Sequence, residues 1–90
     1  MIPAKRTPTH PGEILLEEFL RPKKMTQLAL SRKLGVPIQR INTLIRGKRG
    51  ISAETALLLS GEFKTTPEFW MNLQTVFDLY HAKEKLRKAA

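Results

Sequence analysis

An all-helical domain of five helices is the fold the sequence predicts, on three observations. Proline and glycine cut the chain into helix-length segments. Those segments open and close with residues that suit helix ends, and no strand-like alternation lasts more than a few residues. With 90 residues, of which 41% are apolar and 27% charged, the chain can fill one core and is not expected to be disordered throughout.

Residues 1–10 carry Pro3, Lys5, Arg6 and Pro8 without periodicity and are expected to form an extended arm. The domain itself is expected over residues 11–81. Its first helix should start at Pro11, with Glu13 in the turn where the helix dipole favours an acid, and run to about Leu20, before Pro22. Leu15, Leu16, Phe19 and Leu20 make its buried stripe; Glu13, Glu17 and Glu18 lie outside it. Thr26 suits the N-cap of a second helix that ends at about Leu34, where Gly35 can turn left-handed. A third runs from Pro37 to about Arg46, burying Ile41, Leu44 and Ile45, and Gly47 closes it. Ser52 caps a fourth, Ala53 to about Phe63, with Ala56, Leu59, Ser60 and Phe63 on one face; Gly61 inside it costs about 1 kcal/mol against alanine. Thr66, Pro67 and Glu68 open the fifth in the order cap, first-turn proline, first-turn acid. That helix carries Phe69, Trp70, Leu73, Val76, Phe77 and Tyr80, a wider stripe than one side of a small core needs. Residues 82–90 are basic and apolar only at Leu86, so a solvated tail is expected.

The net charge is +8, and its placement matters more than its size. From Arg21 to Arg49 stand nine basic residues and no acid; from Gly50 to Ala82 the acids Glu54, Glu62, Glu68 and Asp78 oppose Lys64 alone. A basic block inside a folded region is the footprint of a polyanion-binding face. It coincides with a helix-turn-helix spacing over about residues 26–46: Gln27, Gly35 eight residues on, Val36, Ile41 and then Leu44. The glycine permits the steep turn, Val36 plugs the gap beneath it, and Ile41 and Leu44 fix the second helix on the first.

This leaves Ile38, Gln39, Asn42, Thr43 and Arg46 on the outward side of the third helix as candidates for reading bases. Gln39 matches adenine N6 and N7, Ile38 and Thr43 offer a methyl to thymine, and Arg46 reaches guanine or phosphate. Thr26, Gln27, Arg40, Lys48 and Arg49 are candidates for the duplex backbone, where contacts position without specifying. A stripe of Leu73, Val76, Phe77 and Tyr80 points to a homodimer through the fifth helix, which would set two reading helices on a palindrome.

Four phrases carry a family resemblance: His10-Pro11-Gly12-Glu13-Ile14-Leu15, the stretch Thr26 to Gly47, the loop Gly47-Lys48-Arg49-Gly50-Ile51-Ser52-Ala53, and Pro67-Glu68-Phe69-Trp70-Met71-Asn72-Leu73-Gln74. Over roughly residues 8 to 75 the chain resembles the HigA, or VapI, antitoxins of bacterial toxin–antitoxin modules. The resemblance implies a lambda-repressor-like domain that dimerises, binds a palindromic operator in its own promoter and neutralises a HigB toxin, a RelE-like mRNA-cleaving nuclease. Two departures stand out. Ser31 occupies a position usually held by alanine, and Pro37 one usually held by a capping serine. Lys64 stands where a glycine is common and is expected to be left-handed. A nuclease that attracts phosphate is expected to be basic, so its docking face should be acidic, and Glu13, Glu17 and Glu18 form the densest acidic group.

Other functions are disfavoured. There is no cysteine, the histidines His10 and His81 lie far apart, and no phosphate-cradling loop or nucleophile–base arrangement is present; neither an enzyme nor a cofactor or metal is expected. His10 reads as a packing or capping residue. The aromatics fall on apolar stripes rather than on a stacking platform, which disfavours RNA. No apolar run approaches the roughly 20 residues a membrane span needs, so a cytoplasmic protein is expected. The alternative kept open is a stand-alone phage-type repressor without a toxin.

Overall fold

The computed structural model describes residues 7–90. Most of the expected arm, residues 1–6, lies outside the described residues, and Thr7 to His10 have no regular structure. Among the described residues there are helices and no strands, in the order α1 (Pro11–Ile14), a π-helix that continues it over Leu15–Leu20, α2 (Gln27–Leu34), α3 (Ile38–Ile45), α4 (Ala53–Phe63) and α5 (Pro67–Ala89). No helix among them is long and apolar enough to cross a membrane.

The caps explain where the helices begin. His10 Nδ1 accepts from the Gly12 N–H at 2.9 Å, and Pro11 fills the first turn. Thr26 Oγ1 caps α2 through Ala29 N–H, Ser52 Oγ caps α4 through Thr55 N–H, and Thr66 Oγ1 caps α5 through Phe69 N–H. The capping role read for His10 is met, and its ring also packs edge-on against Phe77 at 4.8 Å. Burial holds the imidazole below its ordinary pKa, against the pull of Asp78 and Glu13.

Three features depart from the sequence reading. The second half of the first helix is wound wider than an α-helix: the Arg21 N–H bonds Leu16 O, five residues back, at 2.9 Å. Such winding brings residues five apart nearly into line, which allows Leu15 and Leu20 both to be buried. Second, Lys24 joins Lys64 in the left-handed region, at φ 52° and 57°. Third, residues 82–89 do not trail away from the helix but extend α5. Ala82, the lysines, Glu84 and Leu86 are good helix formers, and Arg87 pairs with Glu84 at 2.7 Å, which holds that carboxyl below its usual range.

The core joins all five helices: Leu15, Leu20, Leu30, Ile41, Leu44, Ile51, Ala56, Leu59 and Trp70 are buried together. Trp70 is fully enclosed and donates from Nε1 to Thr65 Oγ1 at 2.8 Å. Phe19 stacks among Phe63, Phe69 and Trp70 with ring centres 5.0 to 6.1 Å away. The closest approach is between backbones. A Cβ added at Gly12 would land on the Leu44 carbonyl and within 2.9 Å of Ile45 Cα, so α1 and α3 meet where only glycine fits.

Candidate nucleic-acid interface

The turn between α2 and α3 is built as its spacing requires. Gly35 sits at φ 69°, with its N–H on Arg32 O and the Val36 N–H on Ser31 O, so the end of α2 is satisfied before the chain turns. Ser31 is buried without cost, its hydroxyl donating to Leu28 O at 2.8 Å. Pro37 takes the cap position of α3 in extended conformation with no side-chain cap, so the helix starts at Ile38, one residue later than expected. Ile41 and Leu44 are buried, leaving the opposite side of α3 to solvent.

On that side Ile38, Gln39 and Arg46 are exposed, whereas Asn42 and Thr43 are half-buried. Asn42 Nδ2 donates to Gln27 Oε1 at 3.2 Å, tying α3 to the start of α2. The Thr43 hydroxyl donates to Gln39 O at 2.8 Å and accepts from Arg49 Nε at 3.3 Å, so its methyl remains as the group a thymine could meet. Arg49 is thereby tied to α3 through its Nε while the residue stays exposed. Lys48 stands beside it, exposed, in the loop that follows Gly47 at φ 75°.

Arg40, a candidate for the duplex backbone, has a side chain only 23% exposed that donates to Glu54 at 2.6 Å and to Thr55 Oγ1 at 3.0 Å. It clamps α3 to α4. Arg21 pairs with Glu17 and Lys33 approaches Glu62 at 3.9 Å. Of the nine cations in the acid-free block, Lys23, Lys24, Arg32, Arg46, Lys48 and Arg49 make no ion pair among the described residues. Three of these six, Arg46, Lys48 and Arg49, flank the end of α3, a concentration of positive charge that attracts an anion.

The other candidate faces lie elsewhere. On α5, Phe69, Val76, Leu79 and Leu86 are exposed, at 37, 56, 63 and 71%. They stand seven, three and seven residues apart, the spacing of a coiled-coil seam. Leu73 and Val76 border an open apolar groove of about 400 Å³ with Pro8, Ile14 and Phe69. Phe77 instead turns toward His10 and His81, and the Tyr80 hydroxyl meets Thr7 Oγ1 at 3.3 Å. Leu79 was missed in the sequence, although the heptad spacing was there to find. Glu13, Glu17 and Glu18 are exposed on the first helix, Glu17 engaged by Arg21 at 3.0 Å.

A match to the helix-turn-helix family extends over residues 16–70. Virulence-associated protein I of Dichelobacter nodosus is 45% identical over 75 residues, covering 83% of this chain and 69% of that protein. Antitoxin HigA-1 of Vibrio cholerae is 36% identical over 86 residues, covering 96% and 81%. Among solved structures, the Pseudomonas aeruginosa antitoxin HigA with the higBA promoter superposes with a TM-score of 0.88 at 43% identity, over 91% of this chain and 89% of that one.

Proposed function

Because the chain belongs to the helix-turn-helix family and, within it, to the HigA group of antitoxins, we propose that it is a DNA-binding antitoxin that represses its own operon and neutralises a HigB-type, RelE-like mRNA-cleaving toxin. The observation that carries the DNA part is the outward side of α3: Ile38, Gln39 and Arg46 are exposed, with Lys48 and Arg49, neither in an ion pair among the described residues, at its end. Gln39 and Ile38 suit base edges, while Lys48, Arg49, Thr26 and Gln27 suit the duplex backbone. A relative solved with its promoter supports the same reading.

The operator is palindromic on this reading, because two copies pair through the α5 seam of Phe69, Val76, Leu79 and Leu86, with Leu73 at its edge. Isologous pairing sets two copies of α3 about 34 Å apart, one duplex turn. Glu13, Glu17 and Glu18 lie on the first helix, outside the basic block, and offer a basic toxin a docking face while DNA is held.

Two measurements test this. Titration of the chain's own promoter against a scrambled duplex of equal length should show preference for the promoter, with affinity falling steeply as salt rises; equal affinity for both refutes sequence-specific repression. Co-purification with the product of the adjacent reading frame, repeated with all three glutamates changed to lysine, tests the toxin. Failure of the unaltered chain to capture it leaves the stand-alone repressor.

A further inference from the structure

Gln74 on α5 reaches the loop between α3 and α4. Its Oε1 accepts from the Ile51 N–H at 2.6 Å and its Nε2 donates to Asp78 Oδ1 at 2.8 Å. These two partners fix the amide's orientation, since an N–H can be met only by the oxygen and a carboxylate only by the nitrogen. Gly50 makes the room: a Cβ there would lie 3.0 Å from Cδ, Oε1 and Nε2 of Gln74. An amide held at both ends cannot retreat from such a group without loosening one of its bonds. On the other side of the loop, the Lys48 N–H is bonded to Thr43 O of α3 at 2.9 Å. The segment Lys48-Arg49-Gly50-Ile51 is therefore fastened to α3 at one end and to α5 at the other, with its two cations exposed between the fastenings.

We propose that Gln74 is a positioning residue for DNA binding, holding the Lys48 and Arg49 loop where the duplex backbone passes. The inference rests on the reading of α3 and its following loop as the DNA face. Without the Gln74 bond the loop is held at that end only by the buried Ile51 side chain and the Ser52 cap, so Lys48 and Arg49 meet the phosphates less often, fewer counterions are released on binding and affinity falls. Because the affected contacts are to phosphate, the loss falls equally on every sequence.

The test titrates promoter and scrambled duplexes over a salt series with the unaltered protein, Gln74→Met, Gly50→Ala, the pair Lys48→Ala/Arg49→Ala, and that pair combined with Gln74→Met. Melting and sedimentation check fold and assembly of each. Gln74→Met and Gly50→Ala are expected to weaken both duplexes alike and to lower the salt slope toward that of the pair, whose slope falls by about two. Added to the pair, Gln74→Met should change affinity by less than about twofold, the scatter expected of uncoupled changes. A loss carried undiminished into the paired background overturns the proposal, since Gln74 then acts other than through those cations. So does unchanged binding by Gln74→Met where the pair binds weakly. If the pair itself binds as the unaltered protein does, the loop is no DNA contact and the underlying reading fails instead. Should Gln74→Met not fold, Gly50→Ala decides, because it disturbs the same amide from the loop side.

Discussion

α3 and α5 both turn a side to solvent, yet the fold treats them in opposite ways. Behind α3 the contact with α1 is so close that Gly12 has no space for a methyl, and Arg40, Asn42 and Thr43 are each tied to a neighbour. What it exposes is polar and cationic apart from Ile38. α5 is anchored near its start by Trp70, but from its middle onward it exposes Val76, Leu79 and Leu86. The fold fixes α3 and frees its outer side for a charged ligand. Along the outer half of α5, Val76, Leu79 and Leu86 form an exposed apolar stripe among charged residues, the kind of surface that a second protein covers.

The sharpest way to break this contrast is to add one methyl group in each kind of environment. Gly12→Ala should cost about 3 kcal/mol or more, because backbone atoms of Leu44 and Ile45 cannot yield. Gly61→Ala, in a helix interior with nothing within 4 Å of the new group, should stabilise by up to about 1 kcal/mol. Urea denaturation of the two variants checks both signs. Similar values for the two would mean that the α1–α3 approach is not tight.

Next in size is the α5 seam. Val76→Glu with Leu79→Glu should leave the stability of the single chain within about 0.5 kcal/mol, since neither residue is enclosed. Promoter affinity should nevertheless fall by about 100-fold or more as two-site binding is lost. Sedimentation together with titration decides; a dimer that survives both charges would place the interface elsewhere.

How much of this was legible depends on whether a feature is local. The helix ends were readable because each cap is a contact between residues two or three apart, as at Thr26, Ser52 and Thr66. The helix-turn-helix spacing was readable because Gly35, Val36, Ile41 and Leu44 fix one turn. The π-winding was not, since it follows from packing that buries Leu15 and Leu20 together. Arg40 looked like any cation in the block until α4 brought Glu54 beside it, 14 residues away in sequence. Gln74 meets Ile51 from 23 residues away, and no sequence pattern announced it. Low apolar content past residue 81 reads as a tail, yet the alanine, lysines, glutamate and leucine there favour a helix even when solvated, and α5 runs on to Ala89.

A smaller effect separates reading from positioning on α3. Gln39 is exposed while its neighbour Asn42 is tied to Gln27. Gln39→Ala should therefore cost about 1 to 3 kcal/mol on the promoter and little on a scrambled duplex. Asn42→Ala should lower the melting temperature as well as affinity, because it unfastens α3 from α2. Titration of both duplexes and a thermal melt distinguish the two residues; equal loss by Gln39→Ala on both duplexes removes it from the reading set.

The smallest effect is one of pH, at the point where the two regions touch. His10 caps α1, lies against Phe77 of α5, and sits beside Gly47 of the loop after α3. For Nδ1 to accept the Gly12 N–H it must carry no proton, so the folded chain holds the ring neutral, and burial lowers its pKa although Asp78 and Glu13 pull the other way. The unfolded imidazole titrates near its ordinary value of 6.5. Above that pH the contribution to stability is fully present. As pH falls from there through the lowered folded value, the unfolded chain takes up a proton first and the contribution is lost; below the folded value nothing further changes. His10→Asn keeps an acceptor for the cap and removes the titration, so its urea midpoint should vary less than that of the unaltered protein between about pH 8 and pH 5. His10→Ala should cost about 1 kcal/mol at the upper end of that range and less at the lower. Equal pH dependence in His10→Asn and the unaltered chain would show that the imidazole at this junction is not the group being titrated, and that its role there is packing against Phe77 alone.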